Sequence, residues 1–342
     1  MPTDSLISVV IINRNGERFL AACIESVKKQ SYRKIEIILI DNASTDESIL
    51  FIQNNYKDVT IIANSNNEGY SKAANIGILK SKGEYILMLN PDIVLDENFI
   101  ENCLIAIKKD ERIGSVSGKL LRFKNNKMNS GEVIDSTGLI LCQDIRRPLD
   151  RGQNQRDNGQ YNKEEYIFGV NGAAPFYRRA MLEDVKIWDE YFDEDFFAYY
   201  EDVDIAWRAQ LLGWKSFYAP SAVAYHYRSY LKLVVSEANL SEVGNIGKIH
   251  AIKNRYLLYL KNELPVSFLK GLLRNLSIET VRLFRYIFKE RDALLGVKLV
   301  VSYILPALKK RAFIMKRIKV DRAYIENWYT RCSQEIVILE DR

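Results

Sequence analysis

Cysteine is scarce in this sequence and is not arranged to do chemistry. Among 342 residues there are four, Cys23, Cys103, Cys142 and Cys332, far apart and without a CxxC. That spacing argues against both a zinc site and a disulfide framework, and it fits a reducing cytoplasm. Neither GxGxxG nor GxxxxGK[ST] occurs, which counts against a dinucleotide-binding dehydrogenase and a P-loop enzyme. Any phosphates must therefore be held by other groups. No run of 18 apolar residues marks a membrane-spanning helix, and the first residues lack the basic and apolar regions of a signal peptide. Histidine is limited to His226 and His250. No known nucleic-acid module is visible, so nucleic acid is not an expected partner.

Apolar side chains are plentiful, at 47% of the chain. The length exceeds what one core usually sustains, so a main domain and a smaller one are expected, divided at 1–230 and 231–342. The net charge of +5 conceals a split: residues 248–322 carry 18 Lys and Arg against 5 Asp and Glu, a net +13, which leaves the remainder at −8. The basic partner surface is expected to be C-terminal.

In chain order, the apolar run Leu6 to Ile12 is followed by the polar turn Asn13-Arg14-Asn15-Gly16. A helical pattern from Phe19 to Lys29 leads to a second apolar run, Ile35 to Ile40, which ends in Asp41-Asn42-Ala43-Ser44-Thr45-Asp46. Strand, helix, strand with buried-type strands predicts a parallel α/β sheet, with polar clusters at the carboxyl ends of its strands, where open sheets bind ligands. Asp46 to Asn55 reads as a helix, Val59 to Ala63 as a strand, Lys72 to Lys80 as a helix and Glu84 to Leu89 as a fourth strand. That strand ends in Asn90-Pro91-Asp92, a common turn and also a place where an acid can hold a cation that neutralises a diphosphate.

Residues 190–228 place acids among aromatics ahead of a short amphipathic helix that starts near Asp202 and stops at Gly213. N-capping accounts for one acid, Asp202 or Asp195, and pairing with Arg208 for Asp204. Glu201 and Asp202 then need another explanation. A carboxylate held beside Phe196, Phe197, Tyr199 and Tyr200 gains proton affinity and can serve as a general base.

The runs SVVIINRNG, EIILIDNASTDES, NEGYSKAANIGI, GEYILMLNPDI and FDEDFFAYYEDVDIAWRAQLLGW, followed by the histidine of AYHYR, together resemble the inverting family 2 glycosyltransferases of the GT-A fold. The resemblance spans roughly residues 5–230 and is closest to bacterial rhamnosyltransferases of O-antigen and other cell-surface polysaccharides. It implies a nucleotide-sugar donor, dTDP-rhamnose or a UDP-sugar, in the cleft over residues 12–92. By this likeness Asp41 and Asn42 contact the base, Asn13 lies near the nucleoside, and Asn67, Gly69 and Asn90 belong to the donor site. Asn90 stands where the family's DxD motif has its first Asp. Asp92 matches the last acid of that motif and His226 a histidine that completes a divalent metal site, Mn²⁺ or Mg²⁺. Glu201-Asp202 matches the family's ED pair, which makes Asp202 the base. The resemblance implies a glycan or lipid-linked oligosaccharide acceptor, with His250 given no role.

The polar run Gln143 to Tyr166 reads as a solvated loop, long enough to be a functional insertion. After Ser229, residues 245–263, 266–289 and 292–318 read as basic amphipathic helices. The apolar stretch Leu294 to Leu308 is interrupted by Lys298 and Pro306. Such helices suit an anionic membrane surface, here the inner face of the cytoplasmic membrane, with Lys309, Lys310 and Arg311 facing lipid. Packing on the catalytic domain and homo-oligomerisation are the alternatives. A nucleotidyltransferase and a non-catalytic sugar-binding scaffold are the other functional classes left open.

Overall fold

The protein is described here from a computed structural model covering residues 4–123, 133–143, 145–228, 240–290 and 293–331. Four parallel strands, β1 (Ile7–Asn13), β2 (Ile35–Asp41), β3 (Thr60–Ala63) and β4 (Tyr85–Leu89), alternate with helices α1 (Glu17–Lys28), α2 (Ser48–Asn55) and α3 (Gly69–Lys80). Each lies within three residues of its expected position. β1 and β4 are buried along their whole length, as expected of apolar runs covered by helices on both faces. The strand order is β3-β2-β1-β4. Successive strands step one way from β1 and then return to its other side, so a crevice opens between the carboxyl ends of β1 and β4.

The sheet continues past β4 as a mixed sheet. β5 (Ile93–Leu95), helix α4 (Phe99–Ile107), β6 (Ile113–Arg122) and β7 (Ile134–Ser136) follow β4, and β8 (Leu139–Cys142) and β9 (Arg147–Asp150) form a separate hairpin. After β10 (Glu165–Ile167), β11 (Phe176–Arg178), α5 (Arg179–Val185) and α6 (Glu201–Leu211), the long β12 (Lys215–His226) runs parallel to β6 and antiparallel to β5. The β5 pairing sets His226 opposite Ile93, one residue beyond Asp92. Gly213 has φ +78°, the left-handed conformation expected where the sequence ends α6. The supposed loop Gln143 to Tyr166 instead contains β9 and the start of β10, and Lys119 Nζ ties down its turns through Asp157 (2.9 Å) and Asn162 (2.6 Å). Cys23 and Cys103 are buried and free, and Cys142 is disulfide-bonded.

C-terminal helices α7 (Leu240–Asn262), α8 (Pro265–Lys270), α9 (Leu272–Phe288), α10 (Ala293–Met315) and α11 (Arg322–Glu326) share a core with the sheet region. Leu257, Leu258, Ala307 and Ile314 pack with Leu139, Phe168 and Trp207, and β13 (Tyr329–Thr330) extends the β8–β9 sheet. This packing corrects the expectation for Lys310 and Arg311, whereas Lys309 is exposed. Lys310 is buried, bonding Asp193 (2.5 Å) and Asp195 (2.9 Å), and Arg311 donates to the Leu260 carbonyl. Among the described residues no helix is long and apolar enough to cross a membrane.

Candidate active site

A cavity of about 440 Å³ lies over the carboxyl ends of β1 and β4. Asn13, Asn42, Asn67, Gly69, Asn90, Asp92, Asp202 and His226 all line it, so eight of the nine residues singled out from the sequence converge there. The ninth, Asp41, is buried behind the rim. Its carboxylate accepts from Asn13 Nδ2 (2.9 Å), Ser44 Oγ (2.5 Å) and the Ser44 amide (2.9 Å). Asn42 donates to Asn67 Oδ1 (2.9 Å) and accepts from the Glu68 amide (3.0 Å), which binds the second loop to the third. Asn13 Oδ1 is a buried acceptor with no protein partner. Gly69 has φ +79°, and a Cβ there would run into the Phe197 ring, so no other residue fits this turn without strain.

Asp92 and His226 meet at the strand ends, with Nε2 3.3 Å from Asp92 Oδ2. On the other ring nitrogen, Nδ1 lies 2.7 Å from Oδ2 of the fully buried Asp135. Burial disfavours the imidazolium, but the hydrogen bonds and charges of the two carboxylates outweigh it and lift the His226 pKa to about 9. Asp135 also pairs with Arg228, which reaches Asp150 at 3.3 Å. A carboxylate behind a histidine whose other nitrogen faces the cavity is the support that metal-ligating histidines require. Among the described residues no group of three or more His, Cys, Asp or Glu is close enough to hold a metal by itself. Asp92 and His226 fit a divalent cation that would displace the Nε2 proton of the imidazole and take its other ligands from a diphosphate and water.

Glu201 and Asp202 open α6 side by side. Burial, then the charge of Asp202, raises the Glu201 pKa to about 8; its Oε2 has no hydrogen-bond partner. Burial, then the charge of Asp150, raises Asp202 to about 6, against stabilising hydrogen bonds from the Gly172 (2.9 Å) and Val203 (2.8 Å) amides. The two carboxyls therefore titrate as a pair, both pushed above the usual carboxylate range, with Asp202 the one that holds hydrogen bonds favouring its ionised form. Capping is done elsewhere: Asp193 caps the short 3₁₀ turn Glu194–Phe196, and Asp204 bonds Arg208 at 2.9 Å as expected, fully buried.

The segment leading into this pair is strained. Phe197, Tyr199 and Tyr200 have φ of 65°, 72° and 68°, each costing about 1–3 kcal/mol for a bulky side chain. Asn254 of α7 holds it, its Nδ2 donating to the carbonyls of Phe196 (2.8 Å), Ala198 (2.7 Å) and Tyr199 (2.8 Å). His250 stacks on Phe197 at 4.8 Å and, with Ile246 and Gly247, brings α7 into the cavity wall. The acids below are neutralised from the same helices. Lys261 bonds Asp193 and lies 2.7 Å from Asp204, and Lys310 reaches Asp193. Sequence reasoning gave no role to Asp135, His250 and Asn254, which lie outside the motifs, nor to Asp150 and Arg228, which lie inside stretches it had singled out.

The architecture has counterparts among solved structures. GalNAc-T7 with UDP, GalNAc and Mn²⁺ superposes with a TM-score of 0.53 at 18% identity, over 65% of this chain and 44% of that one. The mannosyltransferase PcManGT from Pyrobaculum calidifontis, in complex with GDP-Man and Mn²⁺, gives 0.51 at 13% identity, over 95% and 83%. This likeness places the protein in the GT-A fold class, a mostly parallel mixed sheet followed by a helical C-terminal region. Residues 8–185 match the family described as Glycosyl transferase family 2, and the chain belongs to that family. Relatives include Glycosyltransferase GlyG of Streptococcus pneumoniae, 41% identical over 113 residues (32% of this chain, 37% of that protein). Poly-beta-1,6-N-acetyl-D-glucosamine synthase of Staphylococcus aureus is 26% identical over 224 residues (61% and 49%). The chain thus spans half or less of the length of these curated relatives.

Proposed function

We propose that this chain is an inverting glycosyltransferase that moves a sugar, L-rhamnose from dTDP-β-L-rhamnose in the preferred reading, to a hydroxyl of a growing, lipid-linked cell-surface glycan. The observation that carries the proposal is the meeting, in one cavity, of Asp92 and His226 with the buried carboxylate Asp202, whose proton affinity is raised. Asn13, Asn42, Asn67, Gly69 and Asn90 line the side assigned to the nucleotide, with Asp41 ordering Asn13 from behind. Asp92 and His226 would hold a divalent cation, Mn²⁺ or Mg²⁺, which when bound neutralises charge on the departing diphosphate. Asp202 takes the proton from the acceptor hydroxyl as its oxygen attacks the anomeric carbon opposite the leaving group, a single displacement that inverts configuration. Burial and the charge of Asp202 raise the proton affinity of Glu201, which favours its neutral form beside the base.

The decisive experiment incubates the protein with dTDP-rhamnose, UDP-hexoses and UDP-galactofuranose plus Mn²⁺ and assays the released nucleotide. Nucleoside diphosphate from dTDP-rhamnose supports the reading, and release from a UDP-sugar instead moves the donor assignment. Pyrophosphate would make the protein a nucleotidyltransferase. Tight sugar binding without release would make it a scaffold.

Residues 1–230 are proposed as the catalytic part and 231–342 as the part that meets an anionic membrane at the inner face of the cytoplasmic membrane. The large exposed side chains Leu273, Leu276, Phe284 and Phe288 on α9 and Val301 and Leu305 on α10 support this. Cosedimentation with anionic but not neutral vesicles at low salt is the expected result. Equal recovery in both supernatants would reject it.

A further inference from the structure

A second cavity, of about 560 Å³, lies between α7 and α9. Tyr200 forms part of its wall, and the next two residues, Glu201 and Asp202, line the active-site cavity, so one short segment separates the two spaces. Its polar wall carries Arg147, Lys248, Arg255, Arg282 and Arg285, with Glu290 the one carboxylate among the described lining residues. Lys248 (2.6 Å) and Arg285 (2.5 Å) share that carboxylate. Glu279 of α9 accepts from Tyr256 Oη (2.8 Å) on one oxygen and from Arg282 Nη1 (2.7 Å) on the other. Arg255 Nη2 is left 3.6 Å from Glu279, beyond hydrogen-bond reach, buried and without a hydrogen-bond partner. Burial, then the charge of Arg255, lowers the proton affinity of Arg282, so these two guanidinium groups lie close enough to repel.

Most of the remaining wall is apolar, with Ile145, Ala251, Ile252, Ile278 and Val281 beside the two tyrosines and Ser277. The apolar character continues outside: Leu273, Leu276, Leu283, Phe284 and Ile287 leave one side of α9 exposed beside the cavity. A buried guanidinium with an unmade bond calls for an oxyanion, and phosphoryl oxygens match its planar fork. An apolar inner wall beside an apolar outer face calls for a hydrocarbon chain attached to that anion.

We propose that this cavity binds the phosphate or diphosphate head of an amphiphile, with Arg255 and Arg282 donating to its oxygens. Ile278 and Val281 contact the first carbons of its chain, and the outer face of α9 lies at the hydrocarbon boundary. The use of this site to anchor a lipid-linked acceptor beside Asp202 rests on the function proposed above, whereas the binding itself does not. Phosphate on a chain and free phosphate share the same recognition chemistry, so the test must separate them.

The full chain is titrated calorimetrically with farnesyl monophosphate below its micelle concentration, and in parallel with inorganic phosphate and with farnesol. Saturable binding of farnesyl monophosphate, tighter than either other probe by about tenfold or more, is expected. Ser277→Glu, at an exposed lining position, places a carboxylate against the anion and should weaken that binding by about tenfold while leaving nucleotide-sugar hydrolysis and the melting temperature unchanged. Arg255→Gln should weaken it similarly; because Arg255 is buried, Ser277→Glu decides the matter should Arg255→Gln fail to fold. Equal affinity for inorganic phosphate overturns the amphiphile, equal affinity for farnesol overturns the anion site, and unchanged affinity in Ser277→Glu places the binding elsewhere. Since no donor is present, a wild-type protein inert towards nucleotide sugars would sink the proposed function without altering this titration.

Discussion

On one side of the active-site cavity, Asn13, Asp41 and Ser44 bond one another, as do Asn42 and Asn67, across loops that end neighbouring strands. On the other, Phe197, Tyr199 and Tyr200 hold unfavourable backbone conformations and depend on Asn254, on a helix more than fifty residues further along the chain. The first rim is built from loops that end adjacent strands of one sheet, with bonds that stay inside residues 13–67. The second exists only because those helices dock, with Lys261 and Lys310 neutralising the acids beneath it. A binding rim can be assembled from paired amides at strand ends. A general base with raised proton affinity needs burial, and here burial is supplied by distant chain.

The sharpest test of this contrast is Asp202→Asn, which keeps shape and removes basicity. Turnover should fall by about 10²–10⁴-fold with donor affinity retained, as measured by nucleoside diphosphate release and by donor titration. If Asp204→Asn abolished turnover and Asp202→Asn did not, the base would be misassigned. Removal of the cation by EDTA, or Asp92→Ala, is next in size. Activity should drop steeply and return on adding Mn²⁺ only in the wild type, and full turnover in EDTA would exclude the metal role of this pair.

Lys310→Met leaves Asp193 with half its counter-charge in a buried site and should cost about 3–5 kcal/mol in denaturant unfolding, with no selective effect on lipid binding. The sign with pH follows. Burial raises the Asp193 pKa, and Lys261 and Lys310 outweigh it, so the folded value is depressed. Its stabilisation is present above the usual carboxylate range and fades as pH falls through the folded value. Asn254→Ala unties three carbonyls of the strained segment and should cost about 1–3 kcal/mol, with turnover falling more than donor affinity. Equal losses in both would mean that Asn254 does not act on the base side alone.

The smallest expected effect is a shift in a pH profile. Asp202 has to be ionised to act, so turnover should rise with pH through about 6 and then level. Asp150→Asn removes the main charge that raises this value and should move the acid limb to lower pH by less than about one unit. An unmoved limb would show that Asp150 does not set the proton affinity of the base.

The strands and their polar ends were legible because β1 to β4 are continuous apolar runs, each closed by a cluster of Asn, Asp, Ser or Gly, and such runs have one stable home in a covered sheet. The Asp204–Arg208 pair and the stop at Gly213 were legible for the same local reason: helix spacing and a left-handed turn are properties of neighbouring residues. Lys310 and Arg311 were misread, since a lysine on an amphipathic helix reads the same whether it faces lipid or the buried Asp193. The supposed loop after Gln143 was misread because its strands are short and gain their meaning from β8 and β12.

By itself the sequence determined the α/β order, the two polar loop clusters over the sheet and the identity of the acids that open α6, all of which depend on interactions within a few residues. Only the tertiary structure decided that Asp135 stands behind His226, that Asp150 bears on Asp202, and that Asn254, Lys261 and Lys310 hold the base in place. Proton affinity depends on burial and on charges brought close through space, and neither can be read from separation along the chain.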